Sequence, residues 1–341
     1  MRSSWPAWLS ALAAGLVFAV GGRAAPPIST TLAAAPSIVR ADRDLVVAAV
    51  PGNRKGRCAE LVLWRVGQKP VPIKTIAQCD NDGVGLDAVV DLAVAGQTVA
   101  WQETNGGNNL EISISTATLA HPVEHGVSYV ENGGGAAGDP AGDWTGALVG
   151  HGGLLAYASW KACDPAGGGY ARACGKGLPD LYDQALHRIG GGTMLRGPDA
   201  FAPVWTDGTT IVIRRAGGVL LLVDAHGQVV RRFAAVPGLT AAAVQGSQLV
   251  TLTRTKLTAW NARTGAAVRS FRLAPATRVL EDLDGGVAVL GSHGTTHLIR
   301  LSDGSGATFA PAAHAQLEPQ GLYFATGRTL RFVPRARIRF G

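Results

Sequence analysis

Short apolar runs recur along the chain from about residue 38 onward. They are four to six residues long, rich in valine, leucine and isoleucine, and separated by glycine, aspartate, asparagine and proline. Runs of this length between turn-forming residues are typical of β-strands joined by tight reversals. Helix signals are scarce. The pattern therefore predicts an all-β protein.

The apolar runs are organised as a repeat of a turn, an apolar strand and usually a second strand that ends in a polar turn. The aligned copies are RDLVVAAV (43–50), AGQTVAWQ (95–102), HGGLLAYA (151–158), DGTTIVIR (207–214), QGSQLVTL (245–252), DGGVAVLG (284–291) and PQGLYFAT (319–326). These copies start 35 to 56 residues apart, and the last four are spaced by 35 to 39. A period of this size, with about four short strands per unit, is typical of a β-propeller.

A propeller explains the repeat physically, because a four-stranded blade has two apolar faces and buries both only against neighbouring blades. The sequence predicts about seven four-stranded blades over residues 38–341. Six or eight blades remain open, and an array of β-sandwiches is the structural alternative.

Two stretches of the chain resemble a known propeller repeat. LTAWNARTGAAVRSF (257–271) and, more loosely, LLLVDAHGQVVRRF (220–233) are similar to the repeat of the quinoprotein-like propellers, a superfamily with PQQ-repeat-like and WD40-like members. The resemblance covers two or three blades and implies the fold. Quinoprotein dehydrogenases usually carry adjacent cysteines and a calcium-bound cofactor, and this chain has no adjacent cysteines. The resemblance therefore implies no active site, and we expect no cofactor.

The N-terminus has the pattern of a secretory signal. Arg2 supplies a positive charge, an apolar stretch follows up to Val20, and small residues surround a cleavage point after Ala24. We predict a signal peptide over 1–24 and a Pro/Ala/Thr-rich linker over 25–37, with a retained N-terminal anchor as the alternative. No second apolar run approaches the length that spans a bilayer. We therefore expect a secreted or cell-envelope protein without a transmembrane segment after signal removal.

Positive charge is concentrated at the C-terminus. The formal net charge is +7, and it falls to +5 when the signal takes Arg2 and Arg23 with it. The last 14 residues hold the arginines at 328, 331, 335, 337 and 339. Their alternation with apolar residues over 335–340 predicts an outer strand that closes the ring, with a basic stripe that docks on an acidic polymer or a membrane surface as the alternative. Because the rest of the chain is near neutral, we predict no nucleic-acid partner.

The four cysteines predict two disulfide bonds, as expected for an exported chain. Of the three pairings, the hairpin pattern favours Cys58–Cys79, which are equidistant from the turn over 67–70, and Cys163–Cys174, which are equidistant from the glycines at 167–169. A metal site is the alternative, but no Cys-x-x-Cys or Cys/His cluster supports it.

The stretch AQCDNDGVGLDAV (77–89) crowds acidic and amide side chains around two glycines. Asp80 and Asp82 partly match a calcium loop. However, Gln78 and Val89 stand where that loop needs a first ligand and a bidentate glutamate. The repeat register favours a connector between two blades, and a calcium ion on Asp80 and Asp82 is the alternative.

The segment 160–178, WKACDPAGGGYARACGKGL, predicts a disulfide-pinned loop that carries aromatic and basic residues. The candidate binding residues are Trp160, Lys161, Tyr170 and Arg172. A rigid loop of this composition suits binding, although the bridge alone would also stabilise a long hairpin. We predict an exported, non-catalytic, monomeric scaffold that binds a protein or an extracellular polymer. The alternative is an extracellular hydrolase or lyase, active on carbohydrate or another polymer, with carboxylates in the propeller funnel.

Overall fold

A computed structural model of the chain describes residues 28–52, 59–76, 88–106, 110–120, 122–132, 142–164, 173–175, 180–197, 201–274 and 278–341. This part of the chain forms seven antiparallel sheets of four strands each. The innermost strands contact one another in chain order, and the last also contacts the first. The protein is therefore a closed seven-bladed β-propeller, as the repeat predicts.

The strands follow one another in chain order, with β1 (Ile28–Thr31) preceding the first blade. Blades one to four contain β2 (Ile38–Asp42), β3 (Leu45–Pro51), β4 (Ala59–Arg65) and β5 (Val71–Ile76); β6 (Ala88–Ala95), β7 (Thr98–Gly106), β8 (Leu110–Thr118) and β9 (His125–Asn132); β10 (Gly142–His151), β11 (Leu154–Ala162), β12 (Leu181–Arg188) and β13 (Thr193–Gly197); and β14 (Phe201–Thr206), β15 (Thr210–Arg215), β16 (Leu220–Asp224) and β17 (Val229–Phe233).

Blades five to seven follow the same order. They contain β18 (Leu239–Gln245), β19 (Gln248–Thr253), β20 (Lys256–Asn261) and β21 (Ala267–Arg272); β22 (Val279–Asp284), β23 (Val287–Ser292), β24 (Thr295–Arg300) and β25 (Gly306–Phe309); and β26 (Ala313–Glu318), β27 (Gly321–Thr326) and β28 (Thr329–Pro334). Two single-turn 3₁₀ helices, Ala216–Gly218 and Arg335–Arg337, are the helices of the described residues. Neither is long enough to cross a membrane.

The seventh blade is completed by β1, which comes from the other end of the chain. Ile28 pairs with Phe332 and Thr31 with Thr329 in an antiparallel register. This corrects the prediction of a linker over 25–37, because residues 28–31 form the outer strand that closes the ring. The predicted strand over 335–340 is also wrong, because the chain forms a 3₁₀ helix at Arg335–Arg337.

The apolar core is divided between the blades. Seven clusters of buried side chains occur in the described residues, one between each pair of adjacent blades. The cluster between blades seven and one includes Leu32, Trp64 and Tyr323, and the rings of Trp64 and Tyr323 meet edge to face. Each blade therefore buries both faces against its neighbours, as the repeat requires.

The topology gives the propeller two faces. The second strand of each blade ends, and the first strand begins, at one face, which we call the finger face; the Cys163–Cys174 disulfide lies there. The short turns after each first and third strand lie on the other face, which we call the turn face. Six of the seven inner strands carry a β-bulge within the described residues. A bulge frees backbone N–H groups beside the central channel.

Candidate functional site

The loop that joins β11 to β12 is pinned at its base on the finger face. Cys163 and Cys174 form a disulfide with their Cα atoms 5.0 Å apart, as the hairpin symmetry predicts. The Cys174 N–H donates to the carbonyl of Asp164, and the Cys163 N–H donates to the carbonyl of Asp180, each at 2.9 Å. These contacts fix both ends of the loop, so less conformational entropy is lost if it binds a partner.

A tryptophan pair lies beside this base. Trp144 on β10 is directly opposite Trp160 on β11, and the two rings stack with centroids 6.3 Å apart and planes 5° apart. Both rings are half-buried. Stacked, half-buried indoles offer a rigid apolar surface that can pack against a peptide or a sugar ring.

A charged pair follows the tryptophan pair along β10 and β11. The ammonium of Lys161 lies 3.2 Å from the carboxylate of Asp143, and both side chains are exposed. The hydrogen bond from Lys161 to Asp143 raises the pKa of the lysine, so it stays charged at neutral pH. Because successive side chains of a strand point to opposite faces, this end of the blade presents the tryptophan pair on one face of the sheet and the charged pair on the other.

The remaining predicted site residues lie outside the described part of the chain. They are Tyr170, Arg172, Asp80, Asp82, Cys58 and Cys79. The calcium alternative at Asp80 and Asp82, the Cys58–Cys79 bridge and the role of the loop tip therefore stay predictions.

A second group of polar side chains lies on the inner strands around the channel, where acids connect neighbouring blades. Asp91 accepts a hydrogen bond from the backbone N–H of Leu148 at 2.7 Å, and Asp282 accepts one from that of Leu317 at 2.5 Å. Glu281 accepts two more from the inner strand of blade seven. The bulged inner strands supply these donors. The acids therefore act first as ties between blades.

Burial shapes the ionisation of these acids. It raises the pKa of Asp91 and Glu281, and it raises the pKa of Asp282 to about 7. The positive charge of Arg40 on β2 opposes the rise in all three. Arg40 is therefore the internal counter-charge for acids of blades two and six.

The channel end at the turn face brings together Asp42 of blade one, His151 of blade three and Glu318 of blade seven. One ligand atom from each lies within 4.8 Å of the other two. Asp42 and Glu318 are 1% and 3% exposed. The repeat in the sequence does not reveal this cluster, because Asp42 and Glu318 stand one position before the start of their aligned copies, whereas His151 is the first residue of its own. In the structure the three are equivalent, since each ends an inner strand and pairs with the residue three positions further on.

Neither a protein-family model nor a curated protein sequence matches this chain. Solved structures similar to it include the WD40 domain of Neurospora crassa Pan2, which is 11% identical with a TM-score of 0.50 over 92% of this chain and 97% of that one.

Two further similar structures match this chain over most of its length. A chain from a crystal structure of the mitotic checkpoint complex is 15% identical, with a TM-score of 0.51 over 98% of this chain and 99% of that one. KlHsv2 with its loop 6CD replaced by a Gly-Ser linker is 10% identical, with a TM-score of 0.51 over 86% and 90%. At such identities the similarity concerns the fold. The chain is thus a seven-bladed β-propeller similar to WD40 propellers, and its resemblance to quinoprotein-like repeats stays a prediction.

Proposed function

We propose that this protein is an exported, non-catalytic scaffold that binds a protein or an extracellular polymer on the finger face. The observation that carries the proposal is the stacked Trp144–Trp160 pair at the base of a disulfide-pinned loop. Aromatic anchors on a fixed frame are the features that dominate binding energy at protein interfaces.

Export is supported by the signal-like N-terminus and by the Cys163–Cys174 disulfide. Structural disulfides persist in oxidising compartments and are rare in the cytosol of mesophilic organisms. We propose a monomer, since each blade already buries both of its apolar faces within the ring.

The channel chemistry does not favour the hydrolase or lyase alternative. A glycosidase needs two carboxyl groups free to act on substrate. In the described part of the channel, Asp91, Glu281 and Asp282 already accept backbone hydrogen bonds from the adjacent blade. Asp42 and Glu318 are 1% and 3% exposed, so a polymer could not reach their carboxylates. We therefore do not propose a polymer-cleaving activity.

The proposal is tested by quantitative capture from the extracytoplasmic fraction of the source cells. The wild-type chain is compared with Lys161→Ala, with Trp160→Ala, and with the control Lys69→Ala. Lys69 is an exposed lysine in the β4–β5 turn on the opposite face. We expect one partner to be depleted by the two finger-face variants and retained by Lys69→Ala. Equal retention by all variants, with the same thermal stability, would refute the proposal.

A further inference from the structure

The turn-face end of the channel holds a cluster with the donor set of a metal site. Asp42, His151 and Glu318 each place a ligand atom within 4.8 Å of the other two. They come from blades one, three and seven. Ligands bound to zinc at about 2.1 Å in a tetrahedral arrangement lie about 3.4 Å apart. Displacements of about an ångström in the ligand atoms therefore suffice for all three side chains to contact one ion.

The hydrogen bonds of Asp42 leave one coordination position open. Its Oδ2 accepts from the backbone N–H of Gly96 at 2.6 Å and from that of Gly152 at 2.7 Å. Its Oδ1 is buried without a hydrogen-bond partner. A buried carboxylate oxygen without a donor is costly, and natural proteins satisfy nearly all such atoms. Asp42 therefore points to a ligand that the protein chain does not itself supply.

Glu318 is buried as well, at 3% exposed. Its Oε2 accepts from the backbone N–H of Arg43 at 2.9 Å. One ligand atom of Asp42 lies within 4.8 Å of one of Glu318. The ion pairs of the described residues involve neither Glu318 nor Asp42. Arg335 lies close by, but its guanidinium pairs with Asp284 instead.

We propose that Asp42, His151 and Glu318 bind one divalent transition-metal ion on the propeller axis. An imidazole with two carboxylates is a nitrogen and oxygen donor set that suits zinc and its neighbours better than calcium. The ion supplies the missing partner of Asp42 Oδ1 and offsets the negative charge at this end of the channel. It also ties three blades together, so its role is structural.

The test measures zinc binding by isothermal titration calorimetry on the tag-free mature chain after chelator treatment. We expect the wild type to bind one equivalent and to melt at a higher temperature with zinc than with chelator. His151→Ala should weaken zinc binding by at least about tenfold and abolish most of the thermal shift. His151 is only half-buried, so this variant should fold. His226→Ala is the control, because His226 is an exposed histidine on the same face and should have no effect.

Three results would overturn the site. The first is a wild-type chain that binds no stoichiometric zinc. The second is a His151→Ala variant that binds as the wild type does. The third is an equal loss in His226→Ala, which would indicate adventitious histidine binding. The variant Glu318→Gln checks the carboxylate ligand and should also weaken binding while the circular dichroism spectrum stays unchanged.

Discussion

Truncating Leu32 tests the closure of the propeller by its N-terminal strand. Leu32 follows β1 directly, is 5% exposed, and packs between blades seven and one with Val39 and Phe332. Its backbone N–H donates to the carbonyl of Arg328 at 2.8 Å. If this segment closes the ring, Leu32→Ala removes a side chain from a core rather than from a linker.

The expected loss of stability in Leu32→Ala follows from the burial of the Leu32 side chain. A buried leucine truncated to alanine costs about 2–5 kcal/mol, from lost transfer free energy and from the cavity that remains. Ile28→Ala is the matched control, since Ile28 lies on β1 but is 42% exposed. Surface substitutions of this kind usually change stability by less than about 0.5 kcal/mol.

The assay is equilibrium urea unfolding of the mature chain, followed by tryptophan fluorescence. We expect Leu32→Ala to lower the unfolding midpoint by about 1 M and Ile28→Ala to leave it nearly unchanged. If the two variants are equally stable, residues 28–32 do not close the seventh blade, and the ring must be held by other contacts.

Three further predictions concern the channel, the turns and the loop. Burial raises the pKa of Asp282 to about 7, so the folded state binds more protons than the unfolded state between about pH 4 and 7. Stability should therefore fall as pH rises through this range. Asp282→Asn should flatten that slope in urea titrations, and an unchanged slope would exclude Asp282 as its source. A Cβ on Gly96 would lie 2.9 Å from the carbonyl oxygen of Gly152, whereas one on Gly67 would meet nothing within 4 Å. Both glycines have positive φ, so Gly96→Ala should lower the melting temperature clearly more than Gly67→Ala, and equal losses would show that the close approach is unimportant. Replacing Cys163 and Cys174 together with serine should leave the ring folded but speed proteolysis of the loop over 163–180, measured by mass spectrometry, and an unchanged cleavage rate would mean that the disulfide does not restrain it.

The propeller could be predicted from the sequence because its blades repeat locally. Each copy carries its own turn and apolar strand, so the period is visible without knowledge of tertiary contacts. The β1 strand could not be predicted in this way. Its side chains are mostly exposed, so it shows no apolar alternation, and its identity as a strand depends on pairing with β28 at the far end of the chain.

At the C-terminal arginines, by contrast, the sequence predicts a strand where the structure has none. Their alternation predicts a strand, but β28 ends at Pro334, and the next residues form a 3₁₀ turn. Arg335 there pairs with Asp284 of blade six, a contact that alternation alone does not encode. A local pattern was in this case overridden by a long-range ion pair.

The two candidate sites differ in how much of each could be predicted from the sequence. The disulfide and Trp160 could be predicted because Cys163 and Cys174 are close in sequence and symmetric about a turn. Trp144 was missed because it joins the site only through the β10–β11 register. Asp42 and Glu318 are 276 residues apart, and only closure of the ring brings them together.

The central claim is that partners bind the finger face, and site-specific photo-crosslinking in the source cells tests it most directly. A photoreactive amino acid replaces Lys161 in one strain and Lys69 in another, so that two exposed lysines on opposite faces are compared. We predict a discrete heavier adduct from position 161 and none from position 69. Adducts from position 69 alone, or from both positions equally, would contradict binding through the finger face.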